Sequence, residues 1–208
     1  MLATLRNRLH ENFVRWALRV RPPEPAPIVL SQRRVYVLPT PAGIAYTTAL
    51  GVILLGAMNY NLSLGHALVF LLAGLGIIAI LHTFRNLVQL SLRPGRCESV
   101  FAGEQARFEL IVDNPRPDPR TSLRLFFHGS PPLELDIGPS ATAIASLGLH
   151  TEKRGWLPMP RVTIETTWPL GLVRAWSYAA PDLACLVYPA PAVKAPALTW
   201  SGDDAQGT

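Results

Sequence analysis

The sequence predicts a membrane α-helical hairpin of two transmembrane helices joined to an all-β, immunoglobulin-like sandwich. Three observations carry that expectation. From Val35 to Phe84 there is no Asp, Glu, Lys or Arg, and this fifty-residue gap is closed by Arg33 and Arg34 on one side and Arg85 on the other. After Arg96 helical periodicity stops, and short β-branched and aromatic runs alternate with Pro, Gly and Asp. Charge divides at the same point: residues 1–96 hold ten Arg against two Glu, whereas residues 97–208 hold twelve acidic groups against nine basic ones. At 49% hydrophobic and 16% charged, the 208-residue chain falls outside the intrinsically disordered class.

Residues 1–21 read as an amphipathic helix. Leu2, Leu5, Leu9, Phe13, Trp16 and Val20 recur at three- and four-residue intervals and form one apolar stripe, with arginines on the other faces. Two uses compete: covering part of the β-domain, or lying on the inner leaflet with Arg6, Arg8, Arg15 and Arg19 as membrane-surface contacts. The second is favoured, because anionic lipid is already adjacent and makes nucleic acid an unneeded partner. Residues 22–38, with Pro22, Pro23, Pro25 and Pro27, then read as a stiff linker rich in Pro and Arg.

Residues 39–86 form the expected hairpin. Ala42–Met58 and Leu64–Leu81 are apolar runs long enough to cross a bilayer, and the turn Asn59–Ser63 is too short to be a domain. Neither run has a polar stripe, and the rest of the chain is too small to wrap both. The first run starts some forty residues in and is followed by a second, unlike a cleaved signal peptide. Arginines flank both outer ends and none lies in the turn, so the inner plasma membrane with both termini cytoplasmic is the expected topology. Gly51, Gly56, Gly74 and Gly76 provide small faces for packing within the hairpin or against a second copy, a homo-oligomer. His66 and His82 lie too far apart along one helix, roughly 24 Å, to share a metal. With no charged group inside either span, an anchor fits better than a carrier.

Residues 87–196 read as the sandwich, with strands expected at Val88–Leu92, Ala106–Asp113, Ser122–His128, Leu133–Ile137, Ala141–His150, Arg161–Thr167 and Cys185–Tyr188. Residues 197–208 read as a disordered tail. The corner Trp168–Trp176 has two readings: a plug for one end of the core, with Gly171 at positive φ, or a partner-docking edge with Arg174 and Trp176 as anchors. No catalytic, cofactor-binding or metal-ligating residues emerge, so no enzyme is expected. There is no phosphate loop and no nucleophile elbow, and Cys97 and Cys185 lack metal spacing; in a cytoplasmic domain they read as two reduced, partly buried strand thiols, whereas a periplasmic domain leaves a Cys97–Cys185 disulfide open.

Several stretches resemble the bacterial membrane proteins of the domain-of-unknown-function 58 family, found alongside MoxR-type AAA+ ATPases. They are Arg33-Arg34-Val35-Tyr36-Val37-Leu38-Pro39-Thr40-Pro41-Ala42-Gly43, Asn59-Tyr60-Asn61-Leu62-Ser63-Leu64-Gly65, Leu72-Ala73-Gly74-Leu75-Gly76, His82-Thr83, Arg85-Asn86-Leu87, Arg154-Gly155, Pro169-Leu170-Gly171-Leu172-Val173-Arg174-Ala175-Trp176 and Val187-Tyr188-Pro189. The resemblance runs from about Arg33 to Ala190. The family's defining later segment, with its Gly-Leu-Arg, Gly-Asp and Ile-x-Trp pattern, has no counterpart here. The resemblance implies a membrane-anchored scaffold or adaptor that presents a cytoplasmic sandwich to a partner such as a MoxR-type AAA+ ATPase, and it brings no catalytic residues. The alternative expectation is a cell-envelope enzyme or its accessory subunit, with the β-domain periplasmic.

Overall fold

The computed structural model describes residues 24–191. The expected N-terminal helix, with Arg6, Arg8, Arg15 and Arg19, and the expected C-terminal tail lie outside them.

Two long helices, α1 (Pro41–Asn59) and α2 (Ser63–Leu87), form the hairpin, each extending beyond its expected apolar run. Pro41 takes the first helical position, and the Thr40 hydroxyl accepts the Gly43 N–H at 3.1 Å, so α1 starts with a proper cap. The helices run antiparallel: a Cβ on Gly65 would meet Ala57, one on Gly76 would meet the Tyr46 ring, and the Tyr46 hydroxyl donates to the Leu72 carbonyl at 2.6 Å. Gly51, Gly56 and Gly74 face open space instead. Both helices are long and apolar enough to span a membrane, and only 11% and 17% of their apolar windows are buried. Leu64, Phe70 and Leu71 stand 84%, 70% and 71% exposed.

The remainder is mostly β: β1 (Ile28–Val29), β2 (Tyr36–Pro39), β3 (Ser91–Cys97), β4 (Val100–Phe101), β5 (Gln105–Asp113), β6 (Arg120–Phe127), β7 (Leu133–Ile137), β8 (Thr142–His150), β9 (Gly155–Pro158), β10 (Val162–Thr166), β11 (Val173–Ala179) and β12 (Ala184–Tyr188). They form a four-stranded sheet in the order β1-β3-β5-β8, a five-stranded sheet β2-β11-β10-β6-β7 and a smaller sheet β4-β12-β9. The two larger sheets face each other across one core. Phe108, Leu110 and Val112 of β5 point in from one side and Leu123, Leu125 and Phe127 of β6 from the other, and the Phe108 and Phe127 rings meet edge to face at 6.0 Å.

Six of the seven expected strands are present, five of them with shifted ends; the expected Val88–Leu92 overlaps β3 only at Ser91 and Leu92, because Val88 caps α2 and Gln89 turns the chain at positive φ. Five more strands appear. Two of these correct the expected 22–38 linker: β1 pairs with β3 and β2 pairs with β11, so that stretch supplies an edge strand to each large sheet. Val35 and Val37 face inward while Tyr36 and Leu38 face out, a period of two that prolines on both sides obscure. Strand β11 corrects the Trp168–Trp176 corner, whose second half is not a turn but the start of an interior strand paired with β10 on one side and β2 on the other.

Candidate functional site

Two groups of polar and aromatic side chains stand out, one where the hairpin meets the β-unit and one on the outer face of the five-stranded sheet.

The junction is a clasp. The hydroxyl of Thr40, just before α1, donates to the Gly171 carbonyl at 2.5 Å, and its N–H donates to the Leu172 carbonyl at 3.0 Å. Gly43, one turn on, lies so close to Leu172 that a Cβ there would overlap its carbonyl oxygen. At the end of α2, the Thr83 hydroxyl donates to the Trp168 carbonyl at 2.7 Å, and the His82 and Trp168 rings lie edge to face at 6.2 Å. The Asn86 amide donates to the Thr121 carbonyl at 2.8 Å and to the Thr166 hydroxyl at 3.1 Å, while its oxygen accepts the Thr121 N–H. Thr83 and Asn86 are buried.

Beneath them lies Arg120, 2% exposed, whose guanidinium donates to the carbonyls of Arg85 and Val88 and to Asn114 Oδ1. Those carbonyls are the ones a helix end leaves without an intrahelical donor, and a cation there also meets the negative end of the helix dipole. Burial draws the pKa of Arg120 below the usual arginine value; Arg116 acts the same way and Asp118 opposes it. The loop Thr167–Leu172, held by a Gly171 N–H to Thr167 carbonyl bond at 2.8 Å and by Gly171 at φ +67°, is therefore a seat for the helix ends. Gly171 does occupy the expected left-handed position, but the loop meets the helices and does not plug the core.

The outer face carries Arg174 and Trp176. In β11, Val173, Ala175, Ser177 and Ala179 are buried while Arg174, Trp176 and Tyr178 alternate outward. The register sets Arg124, Glu165, Trp176 and Tyr36 in one row across four strands. The Glu165 side chain is 6% exposed and its carboxylate pairs with Arg124 Nη1 at 3.0 Å and with Arg174 Nη2. Arg174 lies over the Trp176 ring, Trp176 stacks on Tyr36 at 5.7 Å, and Arg161 lies over Tyr178 at 5.0 Å. Tyr36 and Leu38 stand 47% and 59% exposed at the edge. The face thus carries the guanidinium groups of Arg124, Arg161 and Arg174 and the carboxylates of Glu165 and, opposite Arg124 on β7, Glu134, interleaved with aromatic rings.

Sequence reasoning named Arg174 and Trp176 but missed Glu165, Arg124, Tyr36 and Tyr178. The alternation Arg174-Ala175-Trp176-Ser177-Tyr178 was the available signal, hidden by the Pro-Leu-Gly turn before it. Nothing local marks Glu165, which becomes central only through its two cross-strand neighbours. Among the described residues, no three His, Cys, Asp or Glu side chains gather as metal ligands.

No family model matches the sequence, and no curated protein matches it. Among solved structures, the CARDB domain of a Pyrococcus furiosus protein, crystallised in complex with di-metal ions, is similar over 49% of this chain and 94% of that domain. The identity is 13% and the TM-score 0.30. A likeness this distant assigns neither a topology nor a ligand to this chain.

Proposed function

We propose that this protein is a membrane-anchored scaffold of the inner membrane, whose hairpin holds an immunoglobulin-like sandwich at the cytoplasmic surface. The sandwich offers its arginine-aromatic face to a cytosolic partner such as a MoxR-type AAA+ ATPase. The clasp is the observation that carries this reading. Thr40, Thr83, Asn86 and Arg120 tie both helix ends to the β-unit with buried and part-buried hydrogen bonds, while the helices leave their apolar surface uncovered. A linkage of this kind transmits position and force, as a scaffold requires and a floating tether does not. The β-unit sits at the end of the hairpin away from Tyr60–Leu62, the same end as Arg33, Arg34, Arg85 and Arg93. The positive-inside rule puts that end in the cytoplasm. On this face Trp176 and Arg174 are residue types that dominate interface energies, and Tyr36 and Leu38 stand exposed beside them, which supports its use as a docking surface for the partner.

Reporter fusions after Thr208 and in the Asn59–Ser63 turn test the topology, and capture of a co-expressed MoxR-type ATPase by full-length protein in detergent tests the partner. A cytoplasmic C-terminus and capture that falls at least tenfold in Trp176→Ala support the reading. A C-terminal reporter active only in the periplasm overturns it and favours an envelope enzyme or its accessory subunit, while unaltered capture by Trp176→Ala removes the face from the argument.

A further inference from the structure

Cys97 and Cys185 stand 88 positions apart in the sequence and next to each other in the fold. Cys97 is the last residue of β3, just after the register of the β3–β5 pair breaks between Pro94 and Cys97. The chain then leaves the four-stranded sheet and within three residues joins the smaller one, where Val100 pairs in parallel with Val187. Continued back two residues, that register sets Glu98 level with Cys185. The thiols converge accordingly: Cys185 Sγ donates to the Glu98 carbonyl at 3.1 Å, and Cys97 Sγ approaches the same oxygen at 3.7 Å. Cys185 is fully buried in the core, while Cys97 is half-buried and opens toward solvent.

We propose that Cys97 and Cys185 form a redox-responsive pair, in which a hydroperoxide oxidises Cys97 and Cys185 then closes an intramolecular disulfide tying β3 to β12. The Cys97 thiolate attacks one peroxide oxygen and the O–O bond breaks, giving Cys97 sulfenic acid and, with hydrogen peroxide, one water. The Cys185 sulfur then attacks the Cys97 sulfur, the S–O bond breaks, and a second water leaves with the Cys185 proton. Two thiols and one hydrogen peroxide become one disulfide and two waters, the peroxide taking the two electrons. The order follows from access, since reagent reaches Cys97 and only Cys97 reaches Cys185.

The surroundings also set the rate. Burial first, then the hydrogen bond with the Cys185 thiol, and then the nearby Cys185, Glu109 and Glu98 charges push the Cys97 thiol up to about 12. At neutral pH the Cys97 thiol is held protonated and oxidises slowly, and the rate climbs about tenfold per pH unit while its thiolate fraction stays small. This pair stands independently of the scaffold reading, because it requires neither a partner nor a particular topology.

The test is hydrogen peroxide treatment of the full-length protein in detergent, with thiols counted by maleimide labelling after denaturation and products mapped by peptide mass. The expected result is that both thiols disappear together, a Cys97–Cys185-linked peptide forms within one chain, dithiothreitol restores it, and the rate rises between pH 7 and pH 9. In Cys185→Ser, Cys97 should accumulate as a dimedone-reactive sulfenic acid. Thiols that persist under excess peroxide, a product of disulfide-linked dimers, or a Cys97 sulfinic acid in the unsubstituted protein would each overturn the proposal.

Discussion

Arg120 donates from Nη2 to the Val88 carbonyl oxygen at 3.0 Å, so a strand residue of the β-unit closes the C-terminal end of α2. The same guanidinium reaches the Arg85 carbonyl and Asn114 Oδ1, bridging helix, strand and the turn before β6. No carboxylate accepts from it in these bonds; helix-end carbonyls and an amide oxygen take that place.

Replacing this residue therefore tests the clasp. Arg120→Met keeps most of the volume but removes the donor to the buried Val88 carbonyl and to the part-buried Arg85 carbonyl, while Asn114 Oδ1 keeps the Arg116 N–H; each lost acceptor is worth about 1–3 kcal/mol, offset in part because burying the cation was itself costly. A net loss of roughly 3 kcal/mol is expected in thermal or denaturant unfolding of the full chain in detergent. Arg120→Lys should recover little of it, since one ammonium cannot reproduce a planar fork aimed at three oxygens. Unfolding unchanged by Arg120→Met would show that the helix end does not depend on it.

Gly43 tests the other side of the clasp. In Gly43→Ala the new Cβ would overlap the Leu172 carbonyl oxygen, and backbone cannot rotate out of the way as a side chain does. The loop Thr167–Leu172 must shift, at about 1–3 kcal/mol, and the Thr40 bonds to Gly171 and Leu172 should loosen with it. Faster amide exchange confined to residues 167–172 and 40–44 is the expected signature. Gly51→Ala, which meets open space, is the control and should leave exchange unaltered.

For Trp176 the structure separates two costs. A core tryptophan would lose about 3–5 kcal/mol on truncation to alanine. Because Trp176 faces outward, Trp176→Ala should lose only the Tyr36 stack and the Arg174 contact, about 1–2 kcal/mol. Denaturant midpoints distinguish the two, and a loss in the larger range would return this residue to the core.

The Cys97 thiol gives the pH dependence a sign. Its folded pKa, about 12, lies above the ordinary 9.0, so the native state holds the proton more tightly than the unfolded chain does. Its contribution to stability is complete below about pH 9 and is lost as pH rises toward 12. Tyrosines and lysines titrate across the same range, so the informative quantity is the difference between the unsubstituted protein and Cys97→Ala. The gap between their unfolding midpoints should narrow from pH 8 to pH 11 under reducing conditions. A constant gap would show that the thiol is not held neutral by the fold.

The sequence by itself determined the helical hairpin and most of the strands. Fifty uncharged residues bounded by arginines require nothing beyond composition to read, and Phe108, Leu110 and Val112 or Leu123, Leu125 and Phe127 announce their inward faces by a period of two. These signals are local, because burial of one face is written into every second or every third to fourth residue. Tertiary structure alone decided where the edges and charges found partners. The pairing of Tyr36–Pro39 with Val173–Trp176 spans more than 130 positions and turns an apparent linker into a sheet edge. Glu165 lies between Ile164 and Thr166 in an ordinary strand run and becomes the centre of the outer face only when β6 and β11 bring Arg124 and Arg174 to it. Arg120 reads as an ordinary turn arginine until the end of α2 is set against it, and Cys97 meets Cys185 only where the chain changes sheets. Which donor satisfies a helix end, a buried carboxylate or an open strand edge depends on how distant parts of the chain close on one another, and no local periodicity carries that information.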